Sequence, residues 1–195
     1  MSDRVISQKP PHFEGIKKKG IPMIILISGA SHTGKTVLAQ KLLEKYHFPY
    51  LSIDHLKMGL IRCGNTNLTV CDDDALTEYL WPIVREMVKT AIENSQNLIV
   101  EGCYIPFDWD YSFDEAYRKH IRACWLIQSQ KYIETNFDSI LLHASDIEKR
   151  LDDTGCTRQW LIRENQKNLE NCRKFGCSYV LIDEKYEIGE LPWPM

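Results

Sequence analysis

No long hydrophobic run occurs in this sequence of 195 residues. The longest apolar stretch, Ile21 to Ile27, falls far short of the roughly 20 residues that a membrane helix needs, so no membrane partner is expected. Neither sign of charge is in excess. Lys and Arg number 24 against 27 Asp and Glu, a formal net charge of −3, which creates no field able to gather nucleic acid without a built site. Nucleic acid is therefore not an expected partner, and any basic site must be local. The 7 cysteines include no C-x-x-C pair and their number is odd, so zinc spacing and a complete disulfide framework are both missing. Free thiols in a reducing cytoplasm are the expectation. Internal repeats and low-complexity linkers are absent too. Met1–Gly20 carries Pro10-Pro11 and Lys17-Lys18-Lys19 but no apolar core of a secretory signal. It reads as a polar arm preceding one domain over 21–195.

What the chain does contain is an alternation of two patterns. Short apolar runs at Met23–Ser28, Tyr50–Ile53, Leu98–Glu101, Ile121–Ile127 and Tyr179–Ile182 show little polar alternation, as strands buried on both faces do. Between them lie amphipathic segments. Lys35–Tyr46 puts Leu38, Leu42 and Tyr46 on one face, and Asp73–Asn94 carries a long apolar stripe from Leu76 to Ala91. Pro82 inside that stripe predicts a kink or split near Trp81-Pro82. Arg158–Phe175 predicts a further helix, with Gly176 as its C-terminal cap. Strands alternating with helices predict an α/β fold with a parallel sheet.

Directly after the first strand stands Gly29-Ala30-Ser31-His32-Thr33-Gly34-Lys35-Thr36, a complete G-x-x-x-x-G-K-[ST] pattern between a strand and a helix. Glycines at this spacing let successive N–H groups turn inward toward phosphate oxygens, and the following helix adds the positive end of its dipole. Lys35 is placed to reach the β- and γ-phosphates, and the Thr36 hydroxyl to ligate Mg²⁺. His32 occupies a variable position of the pattern.

With this octet the chain resembles the P-loop kinases of the nucleoside-monophosphate and small-metabolite group, which includes adenylate, shikimate and gluconate kinases, chloramphenicol phosphotransferase and the zeta-toxin kinases. The resemblance spans roughly Ile24 to Asp183. It implies a P-loop NTPase fold, a three-layer α/β/α sandwich around a parallel sheet of about five strands, with the loop on the central one. It also implies ATP as phosphoryl donor, the adenine ring near Asp183–Tyr186, and a short arginine-bearing lid around 144–158. No N-K-x-D motif for reading guanine is present.

Two acids lie where such sheets bind ligands, at the carboxyl edge. Asp54 follows the second strand; in kinases of this kind an acid there accepts the proton of an acceptor hydroxyl, which makes Asp54 a candidate general base or substrate anchor. Asp is also a preferred helix N-cap, so both roles stay open. Glu101 ends the third strand, placed to hold a Mg²⁺-bound water or to grip the acceptor, or else paired with a neighbouring base. Lys57 and Arg62 are further candidates for contacting the acceptor, with solvated surface charge as the alternative. For stabilising charge on the transferring group, Arg150 and then Arg158 are the candidates.

The sequence thus predicts an ATP- and Mg²⁺-dependent phosphotransferase acting on a small-molecule acceptor, such as the hydroxyl of a sugar, a phosphorylated metabolite or a nucleotide sugar. Adenylate-kinase-like activity is the runner-up, disfavoured because Gly102–Trp109 holds no arginine. A nucleotide-binding regulatory NTPase is the alternative of another class. Whether the chain is a monomer or a dimer is not legible at this level.

Overall fold

The computed structural model describes residues 21–143, 155–186 and 191. Five strands appear in chain order, β1 (Ile24–Gly29), β2 (Tyr50–Ser52), β3 (Leu98–Glu101), β4 (Ile121–Gln128) and β5 (Tyr179–Ile182). All pair in parallel, in the order β2-β3-β1-β4-β5. Every strand lies within one residue of its expected ends. Helices α1 (Lys35–Tyr46), α2 (Ile53–Arg62), α3 (Asp73–Glu93), α4 (Glu115–Arg118), α5 (Gln130–Leu142) and α6 (Arg158–Phe175) connect them. The central strand β1 is buried along its whole length, which is why it alternates so little: both of its faces are covered.

Helix α1 covers one face, where Leu38, Ala39 and Leu42 meet Ile25, Ile27, Ile99, Cys124 and Leu126. The other face packs Ile24, Leu26, Val100 and Trp125 against α3 through Leu76, Leu80, Val84 and Val88, with Cys172 of α6 in the same cluster. Helix α5 joins α6 over the end of β5, through Tyr132, Ile133, Leu161 and Ile182.

The helix ends follow local chemistry. Thr157 caps α6 by accepting from the Trp160 amide. Gly176 closes it in the left-handed region, φ 69°, and both the Gly176 and Cys177 amides bond the Cys172 carbonyl, a closure that glycine permits. Pro82 corrects one expectation: α3 is not split there but runs continuously from Asp73 to Glu93. Pro82 and Glu78, whose carbonyl it cannot bond, both face solvent, so water can serve the missing donor. Helix α5 was not among the expected elements. Among the described residues no helix is long and apolar enough to cross a membrane. The expected arm at 1–20, most of the expected lid and Arg150 lie outside the described residues.

Candidate active site

The glycine pattern becomes a loop that winds from the end of β1 over the start of α1. At Gly29 the backbone has φ 135°, and a Cβ there would lie 2.4 Å from the Leu126 carbonyl oxygen of β4, so the loop departs where only a hydrogen fits. The Thr33 hydroxyl and the Lys35 ammonium both donate to the Ala30 carbonyl, at 2.9 Å and 2.8 Å. Lys35 is buried, its charge held over the loop rather than in solvent. Gly34 stands at the N-cap of α1 without any side-chain cap. The first amides of that helix are therefore left with the donors a phosphate would take.

Parallel register carries Glu101 to this loop. Glu101 pairs with Ile27 of β1 and with Ser52 of β2, and register partners share a face. Ile27 faces α1, so Glu101 does too, and its Oε2 accepts from the Thr36 hydroxyl at 3.3 Å. Glu101 is 1% exposed. A hydroxyl and a carboxylate, both hard oxygen donors, converge beside the loop that would hold the phosphates, which is the donor chemistry magnesium selects. Thr36 and Glu101 are thus the residues that fit a Mg²⁺ site.

A third wall is built by α2, α3 and the loop after β3. Asp54 lies in the first turn of α2, not at its N-cap, which is Ser52; the capping role is thereby corrected. Its carboxylate pairs with Lys57. Lys57 also donates to the Tyr104 hydroxyl at 2.9 Å and sits 4.9 Å over the Tyr104 ring. Tyr104 in turn donates to Asp73 at 3.1 Å. Burial, then the carboxylates of Asp54 and Asp73, push the Tyr104 phenol well above its ordinary value, so it stays neutral and can donate and accept at once. Lys57 is accordingly a member of the wall, not a solvated charge. Arg62 is not: it is exposed at the end of α2, about 12 Å of helix beyond Asp54.

No protein-family model matches the sequence, and no curated protein matches it either. Solved structures do match the fold. A provisionally assigned kinase from Chloroflexus aurantiacus aligns with TM-score 0.54 at 18% identity, over 84% of this chain and 89% of its own. A sugar kinase from Janibacter sp. gives 0.51 at 14%, over 83% and 85%. Shikimate kinase from Bacteroides thetaiotaomicron gives 0.50 at 16%, over 86% and 89%. The fold is that of the P-loop kinases.

Within this P-loop kinase fold the Gly29–Thr36 loop, Glu101 and Asp54 share the carboxyl edge of the sheet. A cleft of about 810 Å³ lies elsewhere, lined by His47, Pro49, Ile83, Met87 and Leu98 near the amino ends of the strands, and holds none of the candidate residues. Arg158 opens α6 with its guanidinium 5.1 Å over the Phe137 ring, so here it ties α6 to α5. Sequence reading passed over Asp73, which completes the wall by accepting from Tyr104, and Gln128 at the end of β4, which donates to the His32 carbonyl at 3.0 Å. Only their place at strand ends or helix starts signalled them.

Tyr186, beyond β5, packs onto the loop. Its hydroxyl donates to the Gly34 carbonyl at 3.3 Å, and burial pushes its phenol up to about 12, so it remains a donor at neutral pH. A Cβ at Gly34 would fall 1.7 Å from that hydroxyl, with φ 81° besides. Gly34→Ala is therefore expected to lower stability by about 1–3 kcal/mol. Gly59, inside α2 with open space around it, provides the contrast: Gly59→Ala is expected to add about 0.5–1 kcal/mol. Urea unfolding of both variants checks the pair.

Proposed function

We propose that this protein is a phosphotransferase that moves the γ-phosphoryl group of Mg²⁺-bound ATP to a hydroxyl of a small-molecule acceptor. The observation that carries this reading is the meeting of a complete phosphate loop with a buried carboxylate across the sheet, the Thr36–Glu101 contact at 3.3 Å. A loop alone binds phosphate; a hydroxyl and an acid beside it provide for the metal that accompanies a triphosphate. Magnesium, when bound, neutralises charge on the phosphates.

The chain's own residues do the rest. Loop amides from Gly29 to Thr36 orient the triphosphate, and Lys35 faces the β- and γ-phosphates with a buried charge, worth most where water is excluded. Asp54 accepts the proton of the acceptor hydroxyl as its oxygen bonds to the γ-phosphorus and the bond to the ADP oxygen breaks. Lys57, itself held by the Tyr104 hydroxyl, keeps the Asp54 carboxylate in place. A phosphate acceptor would need no base but would need arginines around it. Gly102–Trp109 has none, which supports a hydroxyl acceptor over the adenylate-kinase-like reading.

Calorimetry of the purified protein with Mg²⁺ and ATP tests the first half; saturable binding that weakens when EDTA removes the metal is the expected result. An ATP-consumption screen over sugars, nucleosides, nucleotides and phosphorylated acids tests the second. Turnover only on nucleoside monophosphates would replace this reading by the runner-up. Slow hydrolysis unaffected by any acceptor would favour a regulatory NTPase.

A further inference from the structure

We infer that Gln128 is a positioning residue for the phosphate loop, fixing the His32 peptide so that the loop amides stay converged on the triphosphate. This rests on the reading that the loop binds Mg²⁺-ATP. The argument begins with alternation along β4. Cys124 and Leu126 point to the face that α1 covers, and position 128 continues that row. Gly29, the last residue of β1, is the register partner of Leu126. Beyond it β1 has ended, and the space beside Gln128 is taken by the loop. An apolar side chain would continue the row; a carboxamide stands there instead, 2% exposed. Burying an amide is unfavourable unless it is bonded. Its Nε2 donates to the His32 carbonyl at 3.0 Å, and since a carbonyl only accepts, the nitrogen must be the atom that faces it.

His32 is where such a tie matters. Its φ of 63° places a residue with a side chain in the left-handed region, a conformation that persists only when its surroundings impose it. The Thr33 hydroxyl and Lys35 hold the loop at Ala30; Gln128 holds it on the far side of that strained residue.

Gln128 is itself anchored. The Ser129 amide bonds Ile182 of β5, so the Gln128 amide points the opposite way, toward the side where β1 has stopped. Asn165 of α6 fills the gap, accepting from that amide at 2.8 Å while its own Nδ2 donates to Leu161 at 2.9 Å. Asn165 is 1% exposed. A buried relay thus runs from α6 through the tip of β4 into the phosphate loop.

The test is Gln128→Met, which keeps an unbranched side chain of similar length and removes the donor. Calorimetry with Mg²⁺-ATP is expected to show binding weakened about ten-fold, the scale of one lost buried hydrogen bond. In turnover the KM for ATP rises correspondingly, while kcat at saturating ATP and the KM for the acceptor stay within about two-fold. A merely structural role would lower the melting temperature and leave the KM for ATP unmoved, and that result overturns the inference. If the variant does not fold, the unaltered protein serves: NMR is expected to find the Gln128 side-chain amide protons protected from solvent exchange, and exchange as fast as in an exposed glutamine overturns it. No heat with Mg²⁺-ATP in the unaltered protein would overturn the nucleotide reading and this one together. Equal affinity in the two proteins would overturn only the role of Gln128.

Discussion

Replacing Lys35 by methionine is expected to reduce phosphoryl transfer by about 10²–10³-fold or more while leaving the protein folded. Loss of a single preorganised donor to the charge of a transition state costs about that much in other active sites. Here the donor carries a full charge in a buried position. Stability should hardly change, because the variant removes a buried ammonium along with its bond to the Ala30 carbonyl, and methionine fills similar length with apolar atoms. The two readouts separate chemistry from folding. Circular dichroism melts should superimpose within a few degrees, and a coupled ATP assay should fall toward background. Turnover within ten-fold of the unaltered protein would move the phosphate site away from this loop.

Asp54→Asn is expected to lower kcat by about 10²–10⁴-fold, the usual contribution of a positioned base, with little change in ATP affinity. The substitution is nearly isosteric and leaves Lys57 its bond to the Tyr104 hydroxyl, so the wall should keep its shape. The acceptor decides how large the loss is. An alcohol must shed its proton as it attacks, whereas an acceptor phosphate is already ionised and needs no base. A loss below ten-fold would therefore favour the adenylate-kinase-like alternative, and with it a role for Asp54 in holding Lys57 alone.

Much of this architecture was legible because its determinants are local. The octet Gly29–Thr36 carries its geometry in eight neighbouring residues, and the helix after it begins at Lys35 as expected. Helix α6 matches its expected bounds at both ends; Gly176 signalled where it stops, and the structure shows Thr157 capping its start. Strand positions were recoverable from short apolar runs. Helix α5, Gln130–Leu142, was missed although Ile133, Phe137 and Ile140 recur at helical spacing, and Pro82 suggested a split that α3 does not show, because the proline lies on its solvent side. Asp54 was marked as base or anchor, as cap, or as both; the observed start of α2, with Ser52 at its N-cap, removed the cap.

From the residues alone came the α/β class, the glycine loop after β1 and the two acids that follow or end strands, since each depends on neighbours within a few positions. The tertiary structure decided which of them meet. Thr36 reaches Glu101, Lys57 reaches Tyr104 and Gln128 reaches His32 across 65, 47 and 96 positions respectively. Such contacts are set by strand register and by where β1 ends, and periodicity along one strand says which face a side chain takes but not what another strand or loop brings opposite it.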